Sequence, residues 1–410
     1  MPPHLLLFAI EENKLDGKIP SSICNLSKIE VLDLSMNNLG GIIPECLGSP
    51  SILHMHLYMN NFQGKLAILF PKSCLLRSFH IGSNQLEGPI PQSLINCKHL
   101  EVLDLGNNKL NDTFPSWLGN LKNLEIFCLG SNRFYGHIAN LEVASSFSNL
   151  RIIDLSHNDF NGRLPTKFFK NLHAIINGSE KTGQAKYLLN EFLNFIHMDS
   201  LSITYKGVER RSMRILTTLT IIDFSSNRFN GEIPEILGEL GSLIILNLSH
   251  NSLTGPIPSS LSNLSKLESL DLSSNKLQGR IPAQLVNLDF LGILNLSSNN
   301  LKGLIPRSNH FDTFTSDSYG GNLGLCGFPL SKECGNNQDL KPPPTKFDDT
   351  RRELNWKFSI LMGYGCGVVF GLSMGYIVFT TGKPWWFIQI IERVQQKYIG
   401  RKIRRNGGRK

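Results

Sequence analysis

What this 410-residue chain does without narrows its function before any motif is found. It contains no H-E-x-x-H, no phosphate-binding glycine-rich loop and no C-x-x-C. Zinc-dependent, nucleotide-dependent and dithiol chemistries therefore have no signature to rest on, and an enzyme is not expected. Charge is scarce, at 18% of residues, and its excess sits at one end. Residues 383–410 hold nine lysines and arginines against the single acid Glu392, and the other 382 residues balance at 32 basic and 32 acidic. The net charge of +8 thus belongs to the tail, and a nucleic-acid partner loses its support. His54, His56 and His80 stand close together, but on an open sheet without a cysteine companion they make no metal site, and no cofactor is expected. The first ten residues lack the basic start, the apolar length and the cleavage site of a secretion leader.

Against these absences stands one pattern. Leu267–Pro282 reads LESLDLSSNKLQGRIP, and its frame L-x-x-L-x-L-x-x-N-x-L-x-G-x-I-P recurs with its asparagine at 13, 37, 60, 84, 108, 132, 158, 227, 251, 275 and 299. The steps are 24, 23, 24, 24, 24, 26, 69, 24, 24 and 24 residues, and a period in the twenties with this leucine spacing is the signature of a leucine-rich repeat. Within L-x-L the leucines alternate with outward residues, which predicts a short strand buried on one face. One repeat cannot cover its own leucines, so neighbours must stack into a continuous core. The recurrent asparagine is expected to satisfy backbone groups where the chain turns, as a buried ladder. The predicted fold is an α/β-type repeat solenoid whose strands line a concave face at about 4.8 Å per rung. The G-x-I-P half resembles the plant-specific class of these repeats, which implies a twisted superhelix with a second row of short strands.

The frame divides the chain. Seven repeats occupy residues 1–165, with Phe8, Ile10 and Asn13 already in frame, so the chain is expected to begin inside the solenoid as a truncated gene model or fragment. The 69-residue step leaves residues 166–218 as an inserted island. Within it, Asp199–Ile215 alternates like a hairpin around Lys206-Gly207, and Tyr187–His197 reads as a short helix or a mis-spliced stretch. Four repeats follow at 219–306, then a cap at 307–340 and a spacer at 341–357 opened by Lys341-Pro-Pro-Pro344. Residues 358–380 form an apolar run of 23 residues without a charge, long enough as a helix to cross a bilayer. Trp356, Trp385 and Trp386 flank it, and the basic tail, 381–410, places the C-terminus in the cytosol and the repeats outside. Gly363, Gly367, Gly371 and Gly375 fall on one face of that helix and offer close contact to another helix.

Candidate ligand positions lie on the concave face, the usual binding surface of a repeat sheet. Asp33, His56, His80, Asp104, Cys128 and Asp154 take successive central positions, with His54 and Tyr58 flanking His56, and all are expected to face solvent. Acids beside histidines on consecutive rungs make a candidate pH-sensitive patch; solvated side chains without consequence are the bland alternative. In the last four repeats the central residues Asp223, Asn247, Asp271 and Asn295 are each followed two residues later by Ser225, Ser249, Ser273 or Ser297. That monotony suggests a generic docking surface for a co-receptor, or structural consensus alone. Cys326 pairs naturally with Cys334 to close the solenoid, and local bridges Cys24–Cys46 and Cys74–Cys97 are expected between similar frames of adjacent repeats. Glycosylation sequons begin at Asn25, Asn111, Asn177, Asn247, Asn263 and Asn295.

The order of parts closely resembles that of plant leucine-rich-repeat receptor-like proteins, cell-surface receptors without a kinase, many of which confer disease resistance. DSLSITYKGVERRSMRI and LPTKFFKNLHAI resemble the island of that family. The resemblance implies a single-pass plasma-membrane protein that detects a microbial or endogenous peptide and signals through a partner receptor kinase. A developmental receptor of the same architecture fits equally, and an extracellular enzyme inhibitor or wall-binding repeat protein is the reading from another class. Partners are accordingly an extracellular peptide or protein ligand, a receptor kinase met through the membrane helix, and lipid.

Overall fold

The computed structural model describes residues 4–138, 146–178, 218–308 and 310–334, with the backbone alone of four short strands between residues 189 and 212. Eleven L-x-L segments form three-residue strands: Leu7–Ala9, Val31–Asp33, His54–His56, Ser78–His80, Val102–Asp104, Ile126–Cys128, Ile152–Asp154, Ile221–Asp223, Ile245–Asn247, Ser269–Asp271 and Ile293–Asn295. They pair in chain order as one eleven-stranded parallel sheet, rungs one to eleven. The strands are short because the residue before every ladder asparagine turns left-handed, from Glu12 at φ 55° through His157 at 51° to Ser298 at 54°. That region is costly for a residue with a side chain.

The asparagine offsets the cost. Asn84 donates its amide to the carbonyls of Ile81 (3.0 Å), Gly82 (3.2 Å) and, one rung back, Leu57 (3.0 Å). Its Oδ1 accepts from the Phe62 N–H at 3.0 Å. One side chain therefore satisfies the turn and stitches two rungs, and the arrangement repeats down the solenoid.

A second row of strands follows each turn, as the plant-type resemblance implies. It runs as three parallel sheets of five, four and three strands. The first break follows Lys109–Leu110, where Asp112 stands in place of the glycine that at Gly88 and Gly136 takes φ 82°. An L-residue adopts that conformation only with strain, so the strand stops. On the opposite side short 3-10 turns such as Gln92–Asn96 and Ser259–Asn263 begin directly after Pro91 and Pro258, whose fixed φ suits entry to a helical turn.

The core is mainly leucine and isoleucine, with a phenylalanine column where the island interrupts the sequence. Phe160 stacks on Phe134 at 6.1 Å and on Phe229 at 6.4 Å. Rungs seven and eight pair directly, Asp154 opposite Asp223, so the insertion leaves the stack unbroken. The island starts with helical turns Thr166–Lys170 and His173–Asn177. Strand Leu201–Tyr205 then pairs antiparallel with Val208–Ser212, leaving residues 206 and 207 between the paired ends. Of the two readings of Tyr187–His197, a short helix or a mis-spliced stretch, the helix is corrected: Leu189–Phe192 pairs antiparallel with Phe195–Met198. Asn190 and Asn194 are weak helix formers and Phe192, Phe195 and Ile196 favour strands, so this short segment gains more from a hairpin.

The cap keeps more of the repeat than its sequence suggests. Asn322 donates to Leu296 and Tyr319 carbonyls at 2.9 Å each and accepts from the Leu301 N–H at 3.0 Å, extending the ladder past rung eleven. Gly324–Cys326 adds a last strand to the second row, and Cys326 is bonded to Cys334. The apolar run 358–380, with Gly363, Gly367, Gly371 and Gly375, and the basic tail lie outside the described residues. Among the described residues no helix is long and apolar enough to cross a membrane.

Candidate functional site

Leucine, isoleucine, phenylalanine and methionine fill the inward strand positions, which leaves the outward ones to chemistry. The central outward column runs in register through Asp33, His56, His80, Asp104, Cys128, Asp154, Asp223, Asn247, Asp271 and Asn295.

Rungs two to five bring together the histidines and acids expected there. His56 Nδ1 lies 3.4 Å from Asp33 Oδ2 and its Nε2 lies 3.0 Å from Ser78 Oγ. His80 Nδ1 lies 3.8 Å from Asp104 Oδ2, and the His56 and His80 rings meet edge to face at 4.9 Å. The expectation of solvent-facing side chains is corrected: Asp33, His54, His56 and His80 are all at most 4% exposed, while Tyr58, Asp104 and Asp154 are half-buried. At rung spacing, bulky rings on neighbouring strands shield one another, and Tyr58 packs 6.2 Å from His80. Asp33, His56 and Ser78 follow the order of an acid–imidazole–hydroxyl relay. Each is at most 2% exposed, which gives a substrate no approach to the hydroxyl, so the chain of contacts ties three rungs together.

Rungs six to eight carry buried acidity. Cys128 is a free, buried thiol whose pKa burial pushes well up, with Asp104 and Asp154 adding to the effect. Burial likewise raises the Asp154 carboxyl, against the Ser156 hydrogen bonds that lower it. Asp223 is pushed up to about 7 by burial and then by Asp154 opposite it, although Ser225 and Asn247 donate to it. Beside this pair a groove of about 440 Å³ crosses rungs seven to nine. Ser156, Ser225 and Ser249 form one row of its lining, Asp223 and Asn247 a second, and His157, Ser226 and His250 a third.

The four serines expected to form a docking surface face a different task. Ser225 donates its N–H (3.0 Å) and hydroxyl (2.6 Å) to Asp223 Oδ1, and Ser273 does the same to Asp271. Ser249 and Ser297 donate to the Oδ1 atoms of Asn247 and Asn295. Ser225, Ser249 and Ser273 are at most 5% exposed and Ser297 is half-buried, so the serines are struts and the surface they brace presents Asp and Asn. Asn247 and Asn295 in turn donate Nδ2 to Asp223 and Asp271 at 3.1 and 3.2 Å. These two sequon asparagines are half-buried on the sheet, whereas Asn25, Asn111, Asn177 and Asn263 are exposed. The structure joins Cys24 to Cys46 and Cys74 to Cys97.

Sequence reasoning missed Ser78, the groove and the pairing of Asp154 with Asp223. His157 and His250 carried a signal, since each directly precedes a ladder asparagine. Asp154 and Asp223 were each placed on a central strand position, but their pairing was not drawn because 69 residues of sequence separate them.

Family models described as leucine rich repeat match residues 74–134 and 217–277, and 28–50 and 149–171. Receptor-like protein 53 of Arabidopsis thaliana is 46% identical over 403 residues, which cover 95% of this chain and 41% of that protein. Receptor-like protein 9DC3 of Solanum pimpinellifolium is 51% identical over 360 residues, 86% of this chain and 42% of its own length. The chain thus spans less than half of these relatives. Among solved structures, a TDR receptor aligns with a TM-score of 0.59 at 26% identity, over 74% of this chain and 45% of that one. The plant peptide hormone receptor RGFR1 in complex with RGF2 aligns with a TM-score of 0.53 at 25% identity, over 78% and 51%.

Proposed function

From the premise that this chain belongs to the plant leucine-rich-repeat receptor-like proteins, we propose that it is a kinase-less, single-pass plasma-membrane receptor that senses an extracellular ligand. The ligand, a peptide or protein of microbial origin in the defence reading, lies on the outward face of the eleven-stranded sheet. The observation that carries this is the polar outward column, in register for ten rungs above a leucine core. Its half-buried stretch over rungs seven to eleven, Asp154, Asp223, Asn247, Asp271 and Asn295, offers polar groups to an extended ligand. The alignment with receptor-like protein 53 leaves out about one residue in twenty, so it reaches past Thr380 and takes in the apolar run.

In the kinase-less reading, information crosses the membrane by association with a partner. In lipid, helices gain little from apolarity alone, and close backbone approach supplies the contact energy. Gly363, Gly367, Gly371 and Gly375 offer that approach to a partner receptor kinase. Replacing Gly367 and Gly371 by leucine keeps the run apolar and holds the backbones apart. The variant is expected at the cell surface but without its kinase in co-precipitation; undiminished recovery of the kinase, with loss on deleting residues 394–410 instead, would move the coupling to the tail. The likeness to a peptide hormone receptor favours a developmental peptide as the second reading.

A further inference from the structure

On the reading of residues 358–380 as membrane-spanning, we propose that the cap lies on the lipid surface through Leu304, Leu323 and Phe328, with a rim of cations reaching the headgroup phosphates. The apolar part comes first. Gly324–Cys326 pairs with Asn300–Leu304 and is the edge strand of its sheet, so no further rung covers what flanks it. Leu323 directly precedes that strand and Phe328 follows it, and with Leu304 they are each at least half exposed, Leu323 at 89%. Leu304 lies against this segment: a Cβ at Gly327 would stand 2.6 Å from its Cδ1. Single leucines scattered over a surface need no explanation, but three large apolar side chains around one edge strand form a patch.

The rim is cationic. Arg280 runs along Gly303, the residue before Leu304, with its Cγ 3.3 Å from where a Cβ would stand. Lys302 is exposed on the strand of Leu304 and pairs in register with Gly324. The Arg307 guanidinium lies 5.3 Å from the centre of the Phe328 ring, and Lys332 Nζ donates to the Leu323 carbonyl at 2.7 Å. The acids beside them are Asp312, bonded to Arg307 at 2.8 Å, and Glu333. Arg280 and Lys302 enter no ion pair among the described residues. Leucine and phenylalanine ringed by arginine and lysine suit the boundary of a bilayer. The apolar groups leave water, the long stems lie along them, and the charged heads stay among phosphates. The chain itself supplies the surface. Residues 335–357 join the cap to the apolar run, and these 23 residues reach at most about 80 Å, which keeps lipid at a high effective concentration. No glycosylation sequon follows Asn295, so none places a glycan on the patch.

The test reconstitutes the full chain in phosphatidylcholine vesicles, with and without phosphatidylserine. It carries the photo-crosslinker p-benzoylphenylalanine in place of Phe328 or, as a control, of Tyr135, an equally exposed aromatic in the second row at rung six. After irradiation, lipid adducts are measured by mass spectrometry. The Phe328 position is expected to give about tenfold more lipid adduct than the Tyr135 position, and more again with phosphatidylserine. Leu304→Ser with Leu323→Ser should lower that yield severalfold, and Arg280→Glu with Lys302→Glu should remove the gain from phosphatidylserine. Equal lipid adducts at the two positions, or adducts from the Phe328 position that carry a second copy of the chain in place of lipid, would overturn the proposal. A melting midpoint for each variant separates misfolding from lost contact, and the comparison of the two labelled positions stands should a double variant fail to fold. Resistance to alkaline extraction reports the span separately. An inserted chain with equal adducts removes the cap contact alone, and a chain that is extracted removes the span and the contact together.

Discussion

Replacing Asn227 by alanine should loosen the solenoid at one identifiable joint. Asn227 donates to Leu155 O of the preceding rung at 2.9 Å and to its own Phe224 and Ser225 carbonyls at 3.3 and 2.9 Å. Its Oδ1 accepts the Phe160 N–H at 3.1 Å. Alanine leaves that N–H, within a fully buried residue, without a partner, a cost of about 1–3 kcal/mol. The abandoned carbonyls add less, since the Leu155, Phe224 and Ser225 oxygens sit at a turn, so roughly 2–4 kcal/mol in all is expected. Asn13 supplies the internal control. It is exposed, and its amide donates within its own rung, to Ile10 O at 3.2 Å and Glu11 O at 2.9 Å; Asn13→Ala should cost about 0.5 kcal/mol or less. A solenoid's stability is close to a sum over neighbouring units. Hydrogen exchange should therefore quicken first at amides of rungs seven and eight in Asn227→Ala, alongside a lower denaturant midpoint. Equal destabilisation by the two substitutions, or unchanged exchange at rungs seven and eight, would refute the idea that this asparagine joins the solenoid across the island.

The Asp154–Asp223 pair should make stability fall as pH rises. Asp223 is raised from 3.8 to about 7 in the fold, so between those values the folded state holds a proton that the unfolded chain has released, and the stability present below about pH 4 is lost up to about pH 7. Asp223→Asn should flatten that slope in denaturation curves between pH 4 and 8, with Asp104, Asp154 and His157 the remaining charges facing the pair; a wild-type slope that persists in the variant would dispose of the assignment. The Cys326–Cys334 bridge closes a loop with a sequence separation of 8, and Cys334→Ser should cost about 2–3 kcal/mol on the loop-entropy estimate. That loss should show as a lower melting midpoint with exchange quickening in the cap, and an unchanged midpoint would mean that the bridge does not support it.

The sequence by itself determined the rungs. A leucine at every second position and an asparagine every 24 residues permit one economical arrangement, since only stacking buries those leucines and only a turn pairs that amide. Asn84 and Asn275 could therefore be assigned their task without coordinates, and the column holding Asp33, His56, His80, Asp104 and Asp154 could be assigned its face. Alternation sets which face a side chain leaves from, because it is a property of one strand. What happens on that face is a property of neighbouring strands. Stacking brought His56 and His80 into contact at 4.9 Å and buried them. Ser225, Ser249 and Ser273 became struts through a local contact, because each hydroxyl found an Asp or Asn two residues back. Tertiary structure alone set Asp154 against Asp223: the leucines and phenylalanines of rungs seven and eight pack together whatever loop joins them, and proximity in the sheet owes nothing to proximity in the chain.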